Sequence, residues 1–176
     1  MLDFSHDHFT LFGLPRSYSL DGAALETAYR ALQSLYHPDR AAALADADKR
    51  LALQAATRVN EAFQTLKSPL NRARYLLQLA GVDTKEETNT SMPAAFLMQQ
   101  MEWREAVMDA RAAQDMAALD QLAGELAGET RVLEHALARE LDTRHDYAAA
   151  ALIVRKLRFL AKLDQEIGDA VEVLLD

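Results

Sequence analysis

Apolar residues recur along the chain at steps of three and four rather than in alternation, from Phe9 almost to the last residues. The pattern predicts helices throughout and no strand. A short first helix fits Phe9 to Phe12, with Asp7 placed to cap it and Gly13-Leu14-Pro15 to end it. A second begins after Asp21 and sets Leu25, Ala28, Tyr29, Leu32 and Tyr36 on one face; it stops before Pro38, whose ring disfavours a helical residue ahead of it. The third, from about Asp48 to Lys67, has an inner stripe of Ala55, Val59, Ala62, Phe63 and Leu66. Ser68 and Pro69 restart the chain as a fourth helix, cap and first helical position respectively, running through Tyr75 and Leu79 to Gly81.

Periodicity disappears in "GVDTKEETNTSMP", Gly81 to Pro93, which reads as a connector between two domains, 1–80 and 94–176, with 81–93 as the linker. Three further amphipathic stretches follow: Ala94 to about Ala113, about Met116 to Leu141, and about Tyr147 to Leu175. Leu119, Leu122, Leu126, Leu133, Leu137 and Leu141 fall in register on the middle one, and Leu157, Leu160, Leu163, Ile167, Val171 and Leu174 on the last. Short connections between such helices point to an antiparallel three-helix bundle. The fold class expected is all-α: a helical hairpin domain followed by a bundle.

Composition narrows the chemistry. With 176 residues, half of them apolar, and a formal net charge of −8, the chain can build one ordinary core or two small ones and lacks the concentrated Lys and Arg of a nucleic-acid surface. It has no cysteine, hence no disulfide framework and no thiolate metal site. The N-terminus shows no basic region followed by a long apolar run, and no segment approaches the roughly 20 apolar residues of a membrane span. A cytoplasmic protein that binds other proteins, with no nucleic acid and no membrane among its partners, is the expectation.

One break in the rhythm stands out. His37-Pro38-Asp39 places a fixed backbone angle, an imidazole and a carboxylate on the turn between the second and third helices, a small rigid polar knob. Ordinary residue usage would put this tripeptide in a chain of this length on the order of one time in a hundred. The leading "FTLFGLP", the helix ending in "YHPD" and the returning "VNEAFQTLKSPLNRARYLL" resemble the J-domain family, in which the same tripeptide sits between two antiparallel helices. With "AAFLMQQMEWREAV" and "VRKLRFLAKL" added, nearly the whole chain is similar to the HscB family, the J-domain co-chaperones of iron–sulfur cluster assembly. That resemblance implies a two-ended adaptor. One end would stimulate ATP hydrolysis by an HscA-type heat-shock chaperone through His37, Pro38 and Asp39 with Arg30 and Arg40; the other would carry an IscU-type scaffold to it.

The C-terminal half supplies a candidate for the second end. Successive residues of a helix are turned by about 100°, which puts Phe96, Trp103, Val107 and Ala110 on one stripe, assigned to the core. Leu97, Met98, Met101, Glu102, Glu105, Met108 and Asp109 gather on another sector, and Phe159, off the core stripe of the last helix, is placed to reach it. A helix between two neighbours can need two apolar stripes, but carboxylates within the second one argue against burial, and a Met-rich patch rimmed by charge suits a partner. Leu97, Met98, Met101, Glu102, Glu105, Asp109 and Phe159 match positions with which the HscB family is taken to hold the scaffold.

Other constellations carry less. His6 and His8 are expected to be solvated at a fraying end, with no metal site; His135 and His145 have no nucleophile at catalytic spacing, and no Gly-rich phosphate loop is present, so neither enzyme activity nor a cofactor is expected. The second helix departs from the positive surface usual in J-domains, since Arg30 faces Glu26 and only Arg40 follows the turn. Electrostatic steering should be modest, leaving two alternatives open: low chaperone affinity until the scaffold arrives, or heavier reliance on the tripeptide with Arg72 and Arg74. A different class of function, a structural or regulatory bundle that dimerises through the Met-rich face without acting on a chaperone, also fits the helical pattern.

Overall fold

Asp7 opens the first helix, α1 (His8–Leu11), by accepting the backbone N–H groups of Phe9 and Thr10 at 2.9 and 3.0 Å. Its other oxygen holds Arg16 at 2.6 Å. Partial burial works against its ionisation, but the Thr10 N–H, the Arg16 guanidinium and the Thr10 hydroxyl together outweigh it and hold the carboxyl at about 2. Gly13, at φ +66°, turns the chain where a side chain would be strained. The computed structural model describes residues 3–36, 46–88 and 91–175, and the chain divides into two compact units, Met1–Leu79 and Ala80–Asp176. Among the described residues there is no strand, and the architecture is all-α, a unit built on a helical hairpin followed by a three-helix unit.

In the first unit α2 (Gly22–Leu35), capped by Asp21, packs on α3 (Asp46–Lys67). Leu25 and the α3 stripe Ala55, Val59, Ala62, Phe63 and Leu66 bury a common core with Phe9 and Phe12, and Tyr29, Leu32 and Tyr36 pack at its edge. Tyr29 fixes the register twice over. Its ring stacks on Phe63 at 3.9 Å between centroids, and its hydroxyl donates to Asn60 at 3.0 Å. Ser68 accepts the N–H of Asn71 and starts α4 (Pro69–Leu79), whose Arg72 donates to the Leu66 carbonyl at 2.7 Å while its guanidinium lies over the Tyr18 ring. Arg72 thus closes the C-terminal end of α3, where the last carbonyls have no intrahelical partner.

His8 overturns the expectation of a solvated N-terminal imidazole. It is buried, its ring stacked on Tyr75 at 4.1 Å, and its backbone N–H donates to the Tyr75 hydroxyl. Burial, with the nearby Arg58 charge, pushes its pKa below the ordinary histidine value against the opposing pull of Asp7 and Glu61. His6, by contrast, is exposed beside Asp3.

The second unit contains α5 (Ala94–Ala112), α6 (Met116–Ala138) and α7 (Tyr147–Leu175). Three residues separate α5 from α6, with Gln114 at φ +54° and Asp115 capping α6 through the Ala118 N–H. Every α6 leucine expected inside is buried, as are Leu157, Leu160, Leu163 and Ile167 of α7, while Val171 and Leu174 near the end are only half-buried. Instead of running on as α-helix to Leu141, α6 passes at Arg139–Arg144 into a π-helical turn. The cause is visible in Glu140, buried between Arg139 and Arg144 at 3.1 and 3.2 Å, and in the Asp146 N–H, which reaches back to the Glu140 carbonyl across a left-handed His145. The segment ahead of α5 is held down as well: Arg155 donates to the Thr84 carbonyl at 3.0 Å, and Arg158 lies 3.7 Å from Glu87.

Candidate functional site

Each unit carries one candidate surface. In the first, His37, Pro38, Asp39 and Arg40 lie outside the described residues. What frames them is described: α2 ends at Leu35 with the Tyr36 N–H bonded to the Leu32 carbonyl, and α3 is under way at Asp46. Arg30 is exposed on α2 and pairs with Glu26 one turn back at 3.4 Å, so part of its positive field is cancelled at source. Arg72 is committed to Leu66 and Tyr18, and Arg74 donates to Asn71.

In the second unit the sequence of α5 divides the helix into two faces. Phe96, Trp103, Val107 and Ala110 are buried, joined by Gln100, a polar residue on the core stripe that sequence reasoning left out. On the opposite sector Leu97 is 42% exposed, Met98 63% and Met101 72%, and Met108 is equally open. Glu102, Glu105 and Asp109 are exposed beside them, with Gln99 donating to Glu102. Among the described residues this second stripe stays uncovered by the neighbouring helices of the unit. A stretch of four large apolar side chains kept in water next to three carboxylates is poorly suited to a solvent face and well suited to a partner with an apolar centre and cationic edges.

Phe159 reaches the same region from α7. Half-buried, it meets the edge of Phe96 at 6.2 Å and lies under the Arg104 guanidinium at 4.8 Å. Its ring is therefore held by α5 on two sides, a preorganised apolar surface beside Leu97. A groove of about 340 Å³ adjoins it, lined by Leu97, Phe159, Met92 and Gln100 together with the cationic Arg104, Arg155, Arg158 and Lys162 and the carboxylate Glu86. Nothing near in sequence signals this groove, because Arg155, Arg158 and Lys162 meet α5 only through the packing of α7.

Comparison with known proteins gives this geometry its family. A DnaJ domain model matches residues 7–75, and a model described as the HSCB C-terminal oligomerisation domain matches residues 92–168. The co-chaperone protein HscB homolog of Chromobacterium violaceum is 64% identical over 174 residues, spanning 99% of this chain and 98% of that protein. The chain belongs to the HscB co-chaperone family. A second HscB homolog, from Aromatoleum aromaticum, is 56% identical over 98% of each chain. Among solved structures, chaperone HscB from Vibrio cholerae superposes with a TM-score of 0.85 at 38% identity, covering 96% of this chain and 99% of its own. Human co-chaperone HscB gives 0.89 at 29% identity, covering 94% and 82%. Both HscB domains are present in one chain, and the class of function is that of a J-domain co-chaperone. Among the described residues no helix is long and apolar enough to cross a membrane.

Proposed function

We propose that the protein is a two-ended adaptor of iron–sulfur cluster assembly in the cytoplasm. Its J-domain stimulates ATP hydrolysis by an HscA-type chaperone, and its C-terminal unit delivers an IscU-type scaffold, the cluster being cargo. The observation that carries the reading is the exposed stripe Leu97, Met98 and Met101, flanked by Glu102, Glu105 and Asp109 and continued by Phe159, on a helix whose other face is already core. Family membership supports the other end. His37, Pro38 and Asp39 act by contact and not by catalysis, because the ATP chemistry belongs to the chaperone. A carboxylate on a proline-stiffened turn can engage a cation at the chaperone's switch, and the contact shifts the ATPase only so far as it favours one conformational state over another. Arg30 and Arg40 add local positive charge, weakened at Arg30 by Glu26.

The test is a steady-state ATPase assay of the cognate chaperone with this protein, the scaffold, and both together. Stimulation by the protein alone, a larger effect with the scaffold, and loss of both in a His37→Gln variant that keeps its helicity are expected. A second reading draws on the description of the matching C-terminal family model: the Met-rich face pairs two copies of the chain. Sedimentation separates the two, since pairing makes the mass concentration-dependent without any scaffold.

A further inference from the structure

The groove beside Phe159 differs in chemistry from the face it adjoins. Among the described residues Arg104, Arg155, Arg158 and Lys162 line it against one carboxylate, Glu86, in a chain whose net charge is −8. Two donors at its wall have no hydrogen-bond partner among the described residues. Gln100 is 7% exposed and its Nε2 is buried without an acceptor; the Arg155 Nε is likewise buried without one, although the Arg155 Nη1 is spent on the Thr84 carbonyl. Buried donors left unmatched are costly, and both belong to residues that line one cationic hollow, a setting suited to an acceptor with negative charge. Glu87 shows that a carboxylate can approach: it stands 3.7 Å from Arg158, yet is 85% exposed and only loosely engaged.

We propose that the groove receives an acidic side chain of the scaffold, a carboxylate seated against Arg155, Arg158 and Gln100 while the scaffold's apolar residues cover Leu97 and Phe159. The inference rests on the adaptor reading above and adds polarity to it. Leu97 and Phe159 line the groove and also belong to the apolar face, so one bound segment spans both. On one side of that apolar centre Glu102, Glu105 and Asp109 call for cations; on the other the groove calls for an anion. A partner with the reversed order of charges would meet like charge at both ends, so the arrangement fixes the direction in which the segment binds. Glu87 is a resident competitor that the incoming carboxylate displaces from Arg158.

Scaffold affinity of the full chain, measured by calorimetry with the purified scaffold, tests this. Arg158→Glu is expected to weaken binding at least tenfold, and Lys162→Glu, at an exposed position, several-fold with an unchanged melting temperature. Glu87→Gln should tighten binding about twofold. Replacing the scaffold's exposed Asp and Glu residues singly by Lys should yield one variant that restores affinity for Arg158→Glu. Binding unchanged within twofold in both charge reversals, or weakened with no restoring partner variant, overturns the groove assignment. If Leu97→Ala weakens binding while both reversals do not, the groove fails and the adaptor reading stands; if the wild-type chain does not bind the scaffold, both fail.

Discussion

Helices α2 and α5 are both amphipathic, yet they use their apolar residues in opposite ways. On α2, Leu25 is buried and Ala28, Tyr29 and Leu32 pack against the core shared with α3, and the outward side carries Arg30 paired to Glu26, with Leu35 left open at the helix end. On α5, one stripe is core and a second, Leu97 to Met108, remains open. The difference lies in what accompanies the apolar residues. Carboxylates interleaved with the second α5 stripe would be expensive to bury, so that stripe stays outside even though its hydrophobicity would suit a core. A helix with a single apolar stripe buries it in the core; a helix with two can hold a domain together and also offer an apolar surface.

Trp103→Ala breaks the comparison most severely. Trp103 is 8% exposed, and its loss should cost about 3 to 5 kcal/mol and lower the melting temperature of the second unit. Leu97→Ala, on the open face, should cost less than about 1 kcal/mol by the same thermal scan. If Leu97→Ala melts the unit as Trp103→Ala does, the second stripe is core.

Binding should give the opposite ranking. Truncating Leu97, Met101 or Phe159 to Ala is expected to weaken scaffold binding by roughly 1 to 3 kcal/mol each if these are anchors, measured by calorimetry. Neutralising Glu102, Glu105 and Asp109 should slow association and flatten its salt dependence more than it speeds dissociation, as stopped-flow mixing would show.

A smaller effect separates the two units by pH. The folded-state pKa of His8 is lowered, so the unfolded chain binds more protons between that value and the ordinary histidine value of about 6.5. The stabilisation of neutral His8 is complete above about 6.5 and is lost as pH falls below it. Denaturant midpoints of the first unit should therefore decline between pH 7.5 and 5.5, and His8→Phe, which keeps a stacking ring, should flatten that decline. The smallest effect is at Glu26. Glu26→Gln removes an exposed pair of about 0.3 to 0.5 kcal/mol and should leave stability nearly unchanged while raising the salt sensitivity of chaperone association.

Helix limits, the α3 stripe, the caps at Asp7 and Asp21 and the two faces of α5 were legible because each depends on residues close in sequence. His8 was not, since the ring that buries it, Tyr75, lies 67 residues away, and nothing near His8 announces it. The π-helical turn was hidden for a similar reason: Glu140 reads as a surface residue of a continuing helix until Arg139 and Arg144 are seen to close over it. Gln100 was left out of the core stripe because it is polar, and only the packing of α7 shows that it borders a groove. The role assigned to Arg72 also changed. Sequence left it open as a substitute for missing charge on α2, whereas its bond to Leu66 and its stack on Tyr18 give it work in the fold.

The central claim is that the two ends of the chain act separately, one on the chaperone and one on the scaffold. Asp39→Asn tests it most directly in the steady-state ATPase assay, with scaffold binding followed on the same sample. The account predicts that stimulation is abolished while scaffold affinity stays within twofold of the wild-type chain. Undiminished stimulation by Asp39→Asn would contradict it.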